Sequence, residues 1–264
     1  LMDYYEQLDA FEFFRLVHQA YDKAINDLNE KDLIFYHIHN PSIQAQLNFV
    51  RCAMKPPAKW IIMIREPLQS CESWVNQKFL EDNYSELSMN IATMLFEIDN
   101  IIYHKNNSIG VRLEDLKERP QKTIGSICEW MGIKESESLY EMTAQGKKWW
   151  GDPTSPDYSI DGMEPFGKTS IKRKIGSVFS ESDQFILKTL FYPFSVRFGY
   201  REENFEQFQN DLKTIKPMLN EMFDFEKQLA EKTNTTYSKF MDSGPFLYLR
   251  SSVDVFNSPA TRLL

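Results

Sequence analysis

Residues 58–64, "AKWIIMI", form a continuous apolar run of strand length that stops abruptly at Arg65, Glu66 and Pro67. A run of this kind, with no polar alternation, is the mark of a strand covered on both faces, as in a parallel sheet. Proline fixes its own φ and lacks an N–H, so it suits the first turn of a helix and ends the strand before it. The chain therefore turns from a buried strand into a helix at a permanent cation. A guanidinium beside the free N–H groups of a helix start is an anion site. A structural alternative is Arg65 paired with a nearby carboxylate.

The flanking segments repeat the alternation. The opening stretch has helical spacing and no glycine or proline, and reads as a long helix ending near Asn29. "DLIFYHIHNPS" is a short β-rich run stopped by Asn40-Pro41. Helices are expected over 42–53, from Pro67 to about Glu81, and over 86–105. "SIGVRLEDL" (108–116) reads as a further strand, and "KTIGSICEWMGI" (122–133) as a helix closed by Gly132. Strands alternating with helices predict an α/β fold, a parallel β-sheet flanked by helices with right-handed crossovers. Ligands in such sheets bind beyond the carboxyl ends of the strands, where His37, His39 and Arg65 fall.

Residues 145–171 lose the pattern in a Gly-, Pro- and Ser-rich stretch holding Trp149 and Trp150, and read as a lid. The tryptophan pair suits packing onto the core better than stacking on a ligand ring. Helix is expected again over 180–200, and a single long polar helix over 203–232. The last thirty residues read as a docking tail. The division is thus an α/β domain over 1–201 and a helical C-terminal extension over 202–264, which could serve a protein partner or an oligomer.

Composition narrows the function. With 264 residues, 42% of them hydrophobic, the chain can bury a substantial core. A net charge of −8 argues against a nucleic-acid binder, which needs a broad basic face. The basic run "KTSIKRK" (168–174) is a local exception, and as a solvated loop it needs no ligand. No apolar run approaches the roughly 20 residues of a membrane span, and no leader pattern opens the chain. Cys52, Cys71 and Cys128 are too few and too scattered for a disulfide framework or a zinc site. Compartment is not legible.

Several segments together carry a family resemblance. "IREPLQSCES" resembles the 3′-phosphate-binding motif of the sulfotransferases, with a Pro two residues after the Arg and a Ser eight after it. "HIHNP" is similar to the Lys-Thr-His-x-Pro segment of the cytosolic branch, with His39 in the place of the catalytic base and His37 in the place of the lysine. "VRLEDLKERPQKTIGSICEWMGI" resembles a stretch that begins Tyr-Glu-Asp and ends in Leu-Gly. "RKIGSVFS" resembles a late Arg-Lys-x-Gly segment. These segments are colinear over residues 30–200.

The resemblance implies a sulfotransferase that moves a sulfuryl group from 3′-phosphoadenosine 5′-phosphosulfate (PAPS) to a hydroxyl or amine of a small-molecule or carbohydrate acceptor, with no metal. It implies Arg65 and Ser73 as 3′-phosphate ligands, with Arg173, Lys174 and Gly176 as further ones. His39, or His37 on the same side of the strand, would accept the acceptor's proton. Two departures stand out: Leu113 replaces a tyrosine that packs on the adenine, and no segment resembles the loop that holds the 5′-phosphosulfate. That loop is expected upstream of Leu1; the competing expectation is that it is lost, leaving an inactive binding or scaffold protein. A P-loop kinase-like transferase is a further alternative, but the chain shows no Gly-x4-Gly-Lys-Ser/Thr loop.

Overall fold

A computed structural model describes residues 7–25, 33, 35, 59–96, 107–141, 143–144, 147–148, 164–168, 174–247 and 249–250. They fall into two compact units, residues 1–60 with 100–108, and residues 61–99 with 109–264.

In the first unit, α1 (Ala10–Ala24) occupies the middle of the expected opening helix. Its start is fixed by a reciprocal pair: Glu12 N–H donates to Asp9 Oδ1 at 2.8 Å, and Asp9 N–H donates to Glu12 Oε2 at 3.0 Å. Each bond satisfies a donor that has no partner inside the chain's own helix or its lead-in. Of the β-rich run 32–42 only Leu33 and Phe35 are described, and neither is in a strand. The helix expected over 42–53 lies outside the described residues.

β1 (Trp60–Ile64) is followed by α2 (Pro67–Leu80) and α3 (Tyr84–Phe96). β2 (Ser108–Arg112) lies parallel to β1, and these two strands make the whole of the sheet among the described residues. The arrangement is α/β in the general sense but mostly helical. The strand expected over 108–116 stops at Arg112, because Leu113 opens a short helix, α4 (Leu113–Glu118). Glu114 and Asp115 stand in its first turn, where negative charge is favoured by the helix dipole.

α5 (Pro120–Met131) starts on a proline and ends, as the sequence indicates, at Gly132, whose φ of 73° is left-handed. β3 (Thr143–Ala144) and β4 (Lys147–Lys148) form a minimal antiparallel ladder at the entrance to the expected lid. Of the rest of the lid, residues 164–168 are described, and Lys117 Nζ donates to Gly167 O there at 2.6 Å.

The helices expected over 180–200 and 203–232 are each broken in two. α6 (Glu181–Leu190) and α7 (Tyr192–Arg197) separate at Phe191, one residue before the step to Pro193. Proline there removes a hydrogen bond and clashes with the carbonyl one turn earlier. α8 (Phe205–Met218) ends just after Pro217, and α9 (Asp224–Lys232) begins after a turn that buries Met222 and Phe223. α10 (Tyr237–Met241) follows. The start of α6 also holds the start of α9: Asp183, which closes a capping box with Ser180, accepts from Asp224 N–H at 2.8 Å and Phe225 N–H at 3.1 Å.

One apolar cluster runs through the second unit. Leu68, Cys71 and Val75 of α2 and Leu87 and Ile91 of α3 join Ile186, Leu187 and Leu190 of α6. Ile215, Phe225, Leu229, Phe240, Phe246 and Leu249 complete it. The segment expected to act as a docking tail thus contributes side chains to this core as far as Leu249. Cys71 and Cys128 are free and buried, and burial, followed by the nearby Glu72 carboxylate, pushes the Cys71 thiol far above its ordinary range. Among the described residues no helix is long and apolar enough to cross a membrane.

Candidate functional site

Arg65 leaves the end of β1 half-buried, and its Nε and Nη2 donate to Gln69 Oε1 at 3.1 and 2.8 Å. Gln69 lies one turn into α2, so the guanidinium is laid along the start of that helix. Glu66 caps the helix, its Oε2 accepting from Gln69 N–H at 2.6 Å. A carboxylate is suited to this place, because the first N–H groups of a helix have no partners within it.

Glu66 also links the two strand ends. Its N–H donates to Glu114 Oε1 at 2.9 Å, and Glu114 Oε2 accepts from the Tyr200 hydroxyl at 2.7 Å. Burial, and then the bond to the Glu114 carboxylate, push the Tyr200 phenol well above its ordinary range, so Tyr200 stays a donor. Beside it, Arg112 meets Asp115 through two bonds of 2.7 and 3.0 Å, and donates from Nη1 to Gly199 O at 3.0 Å. Arg119 reaches the same Asp115 carboxylate. Burial pushes that carboxyl up, but the bonds and charges of Arg112 and Arg119 outweigh it and hold it below the ordinary aspartate range. A cleft of ≈ 270 Å³ beside β2 is lined by Arg112, Asp115, Arg119, Lys122 and Thr123.

A second feature grows from α2. Its inward face carries Leu68, Cys71 and Val75, all fully buried, and among them stands Glu72 at 4% exposure. A buried carboxylate is stable only if donors surround it. The donors come from the backbone about a hundred residues later. Gly176 N–H points at both oxygens, at 3.1 and 2.9 Å, and Val178 and Phe179 N–H reach Oε1 at 2.7 and 2.9 Å. Consecutive N–H groups turned to one side form a concave anion nest. Gly176, at φ 117°, adopts a backbone that side chains with a Cβ rarely reach, and so lets the turn form. The same turn is tied to α6 by Gln184 Nε2, which donates to Phe179 O at 3.0 Å.

Of the residues singled out in the sequence, Arg65 and Ser73 lie on the lead-in and second turn of α2, and Ser73 is half-buried. Gly176 is brought onto Glu72, the immediate neighbour of Ser73, and Lys174 stands exposed two residues before it. His37, His39, Arg173, Trp149 and Trp150 lie outside the described residues. The sequence reading passed over Glu72, Glu66, Glu114 and Tyr200. For Glu72 a signal existed: an acid sits at the spacing of a buried helix face, where only a partnered charge is tolerated.

Toward the 3′-phosphate that the resemblance implies, the described candidates present side-chain groups more than backbone ones. Arg65, Ser73 and Lys174 carry side-chain donors, with Arg65 already donating to Gln69 Oε1, while the N–H of Gln69 is taken by Glu66 and that of Gly176 by Glu72. Among the described residues no group of three or more His, Cys, Asp or Glu side chains is arranged to hold a metal. Compared with known proteins, the chain matches no family model, no curated protein and no solved structure.

Proposed function

We propose that the chain is a sulfotransferase moving a sulfuryl group from PAPS to a hydroxyl or amine of an acceptor. The observation that carries this reading is the contact between Glu72 and the turn at Gly176. The two segments that the resemblance gives to a single 3′-phosphate, one around Arg65 and Ser73 and the other around Arg173 and Lys174, are far apart in sequence. Glu72, beside Ser73, and Gly176, two residues after Lys174, are hydrogen-bonded in the fold. The location agrees with the general rule for parallel sheets, since Arg65 follows the carboxyl end of β1.

In this reading Arg65, Ser73 and Lys174, with Arg173, anchor the 3′-phosphate. The acceptor oxygen or nitrogen attacks sulfur in line, its bond to sulfur forms as the bond from sulfur to the 5′-phosphate oxygen breaks, and His39 or His37 takes the acceptor's proton. The products are the sulfated acceptor and adenosine 3′,5′-bisphosphate. Holding the reactants in line and stabilising the leaving oxygen supply most of the rate, and no metal is needed.

Calorimetry with adenosine 3′,5′-bisphosphate, run beside adenosine 5′-monophosphate, tests the reading. Binding should depend on the 3′-phosphate, and Arg65→Ala should weaken it by about 2–5 kcal/mol, the range for removing one partner of a buried charge pair. His39→Ala should abolish turnover and spare nucleotide binding. An unchanged affinity in Arg65→Ala overturns the assignment. A specific observation favours the second reading, an inactive scaffold on the same frame: Arg65 is bonded to Gln69, and the helix start is capped from within by Glu66. That reading predicts no preference between the two nucleotides.

A further inference from the structure

We infer that Glu72 is a positioning residue for the nucleotide site, an internal anion that fixes the turn at Gly176 so that Lys174, two residues before it, is presented to the 3′-phosphate. The inference rests on the sulfotransferase reading and adds to it a role for Glu72, which lies within "IREPLQSCES" but is not among the phosphate ligands that the resemblance implies.

The geometry is that of a bound anion without a foreign ligand. The Glu72 carboxylate is buried at 4% exposure and takes N–H bonds of 2.7–3.1 Å from Gly176, Val178 and Phe179. Both ends of this contact are anchored. Glu72 is held by α2, whose Leu68, Cys71 and Val75 are immobilised in the core, and Val178 and Phe179 are buried immediately before the Ser180 cap of α6. The position of Gly176 relative to α2 is therefore set by this carboxylate. Lys174 leaves the turn two residues earlier and Ser73 leaves α2 one residue later, so the spacing of these two candidate ligands is set by the same contact.

A further consequence concerns Gly176 itself. Its N–H is directed at both Glu72 oxygens and is committed to them. Gly176 thus shapes the turn, and the 3′-phosphate is read by side chains.

Glu72→Gln tests this, since glutamine keeps the size but turns an NH2 group toward a nest of donors. Affinities for adenosine 3′,5′-bisphosphate and adenosine 5′-monophosphate are measured by calorimetry, with melting temperatures in parallel. In Glu72→Gln the preference for the bisphosphate should fall by about tenfold or more, the scale on which slightly misplaced supporting groups act, with the monophosphate affinity unchanged. A lower melting temperature with the wild-type preference intact would make Glu72 structural only, overturning the inference while leaving the sulfotransferase reading standing. A wild-type chain with no preference sinks both. Should Glu72→Gln fail to fold, Lys174→Ala, an exposed change, decides: reduced preference supports the inference, and an unchanged one overturns it.

Discussion

Two buried glutamates in the second unit solve the same problem differently. Among the described residues Glu72 meets only backbone N–H groups, those of Gly176, Val178 and Phe179. Glu226, at 0% exposure, meets the guanidinium of Arg250 through bonds of 2.8 and 2.6 Å, with the Tyr84 hydroxyl and Phe223 N–H completing its shell. Arg250 in turn donates to the carbonyls of Leu219 and Glu221 and lies over the rings of Phe246 and Phe223, 3.5 and 4.5 Å from their centroids. A backbone nest offers partial charges at positions that cannot adjust, so it specifies geometry. A guanidinium offers a full charge on a long side chain, so it ties a distant stretch of chain to the core. The first solution suits a site and the second suits a fastening.

The comparison breaks most visibly at the fastening. Arg250→Ala leaves a fully buried carboxylate without its cation, and unfolding in urea should show a loss of about 3–5 kcal/mol. A loss under about 1 kcal/mol would mean that Tyr84 and the Phe223 N–H suffice. Glu72→Ala should destabilise less, by about 2–3 kcal/mol, because the orphaned donors are neutral and Gly176 is exposed enough for water to replace one bond. A larger loss than for Arg250→Ala would reverse the ranking of the two regions. The smallest effect belongs to Asp115, a half-exposed version of the charge-to-charge solution, with Arg112 and Arg119 as partners. Its contribution, under about 1 kcal/mol, should shrink in high salt. Its carboxyl titrates below the ordinary value of 3.8 in the folded chain, so its stabilisation is present above that value and is lost as the pH falls through the lower one. The stability gap between wild type and Asp115→Asn should therefore close on acidification from neutrality, and a gap that ignores pH would exclude the ion pair as its cause.

Much of the scaffold around the site was readable in the residues. The apolar run before Arg65 gave β1, Pro67 gave the start of α2, and Gly132 gave the end of α5, each by a local rule of backbone chemistry. Errors arose where a local pattern ran on past a tertiary event. "VRLEDL" alternates like a strand, yet the chain turns helical at Leu113 and so delivers the Glu114 carboxylate to Glu66 N–H. The polar stretch over 203–232 has helical spacing throughout, and breaks because Pro217 precedes residues whose burial requires a turn.

The sequence by itself determined where the chain changes direction and which residues carry charge, because caps, prolines and apolar runs act over a few residues. It also placed Arg65 at a strand end just before a helix, Ser73 within that helix, and the Arg173, Lys174 and Gly176 segment on another stretch. Only the tertiary structure decided that Glu72 would fill the nest at Gly176 and that Arg250 would close on Glu226. Both pairings join segments whose distance along the chain gives no periodic signal. Each is selected because a buried carboxylate must find donors, and the fold determines which donors are within reach.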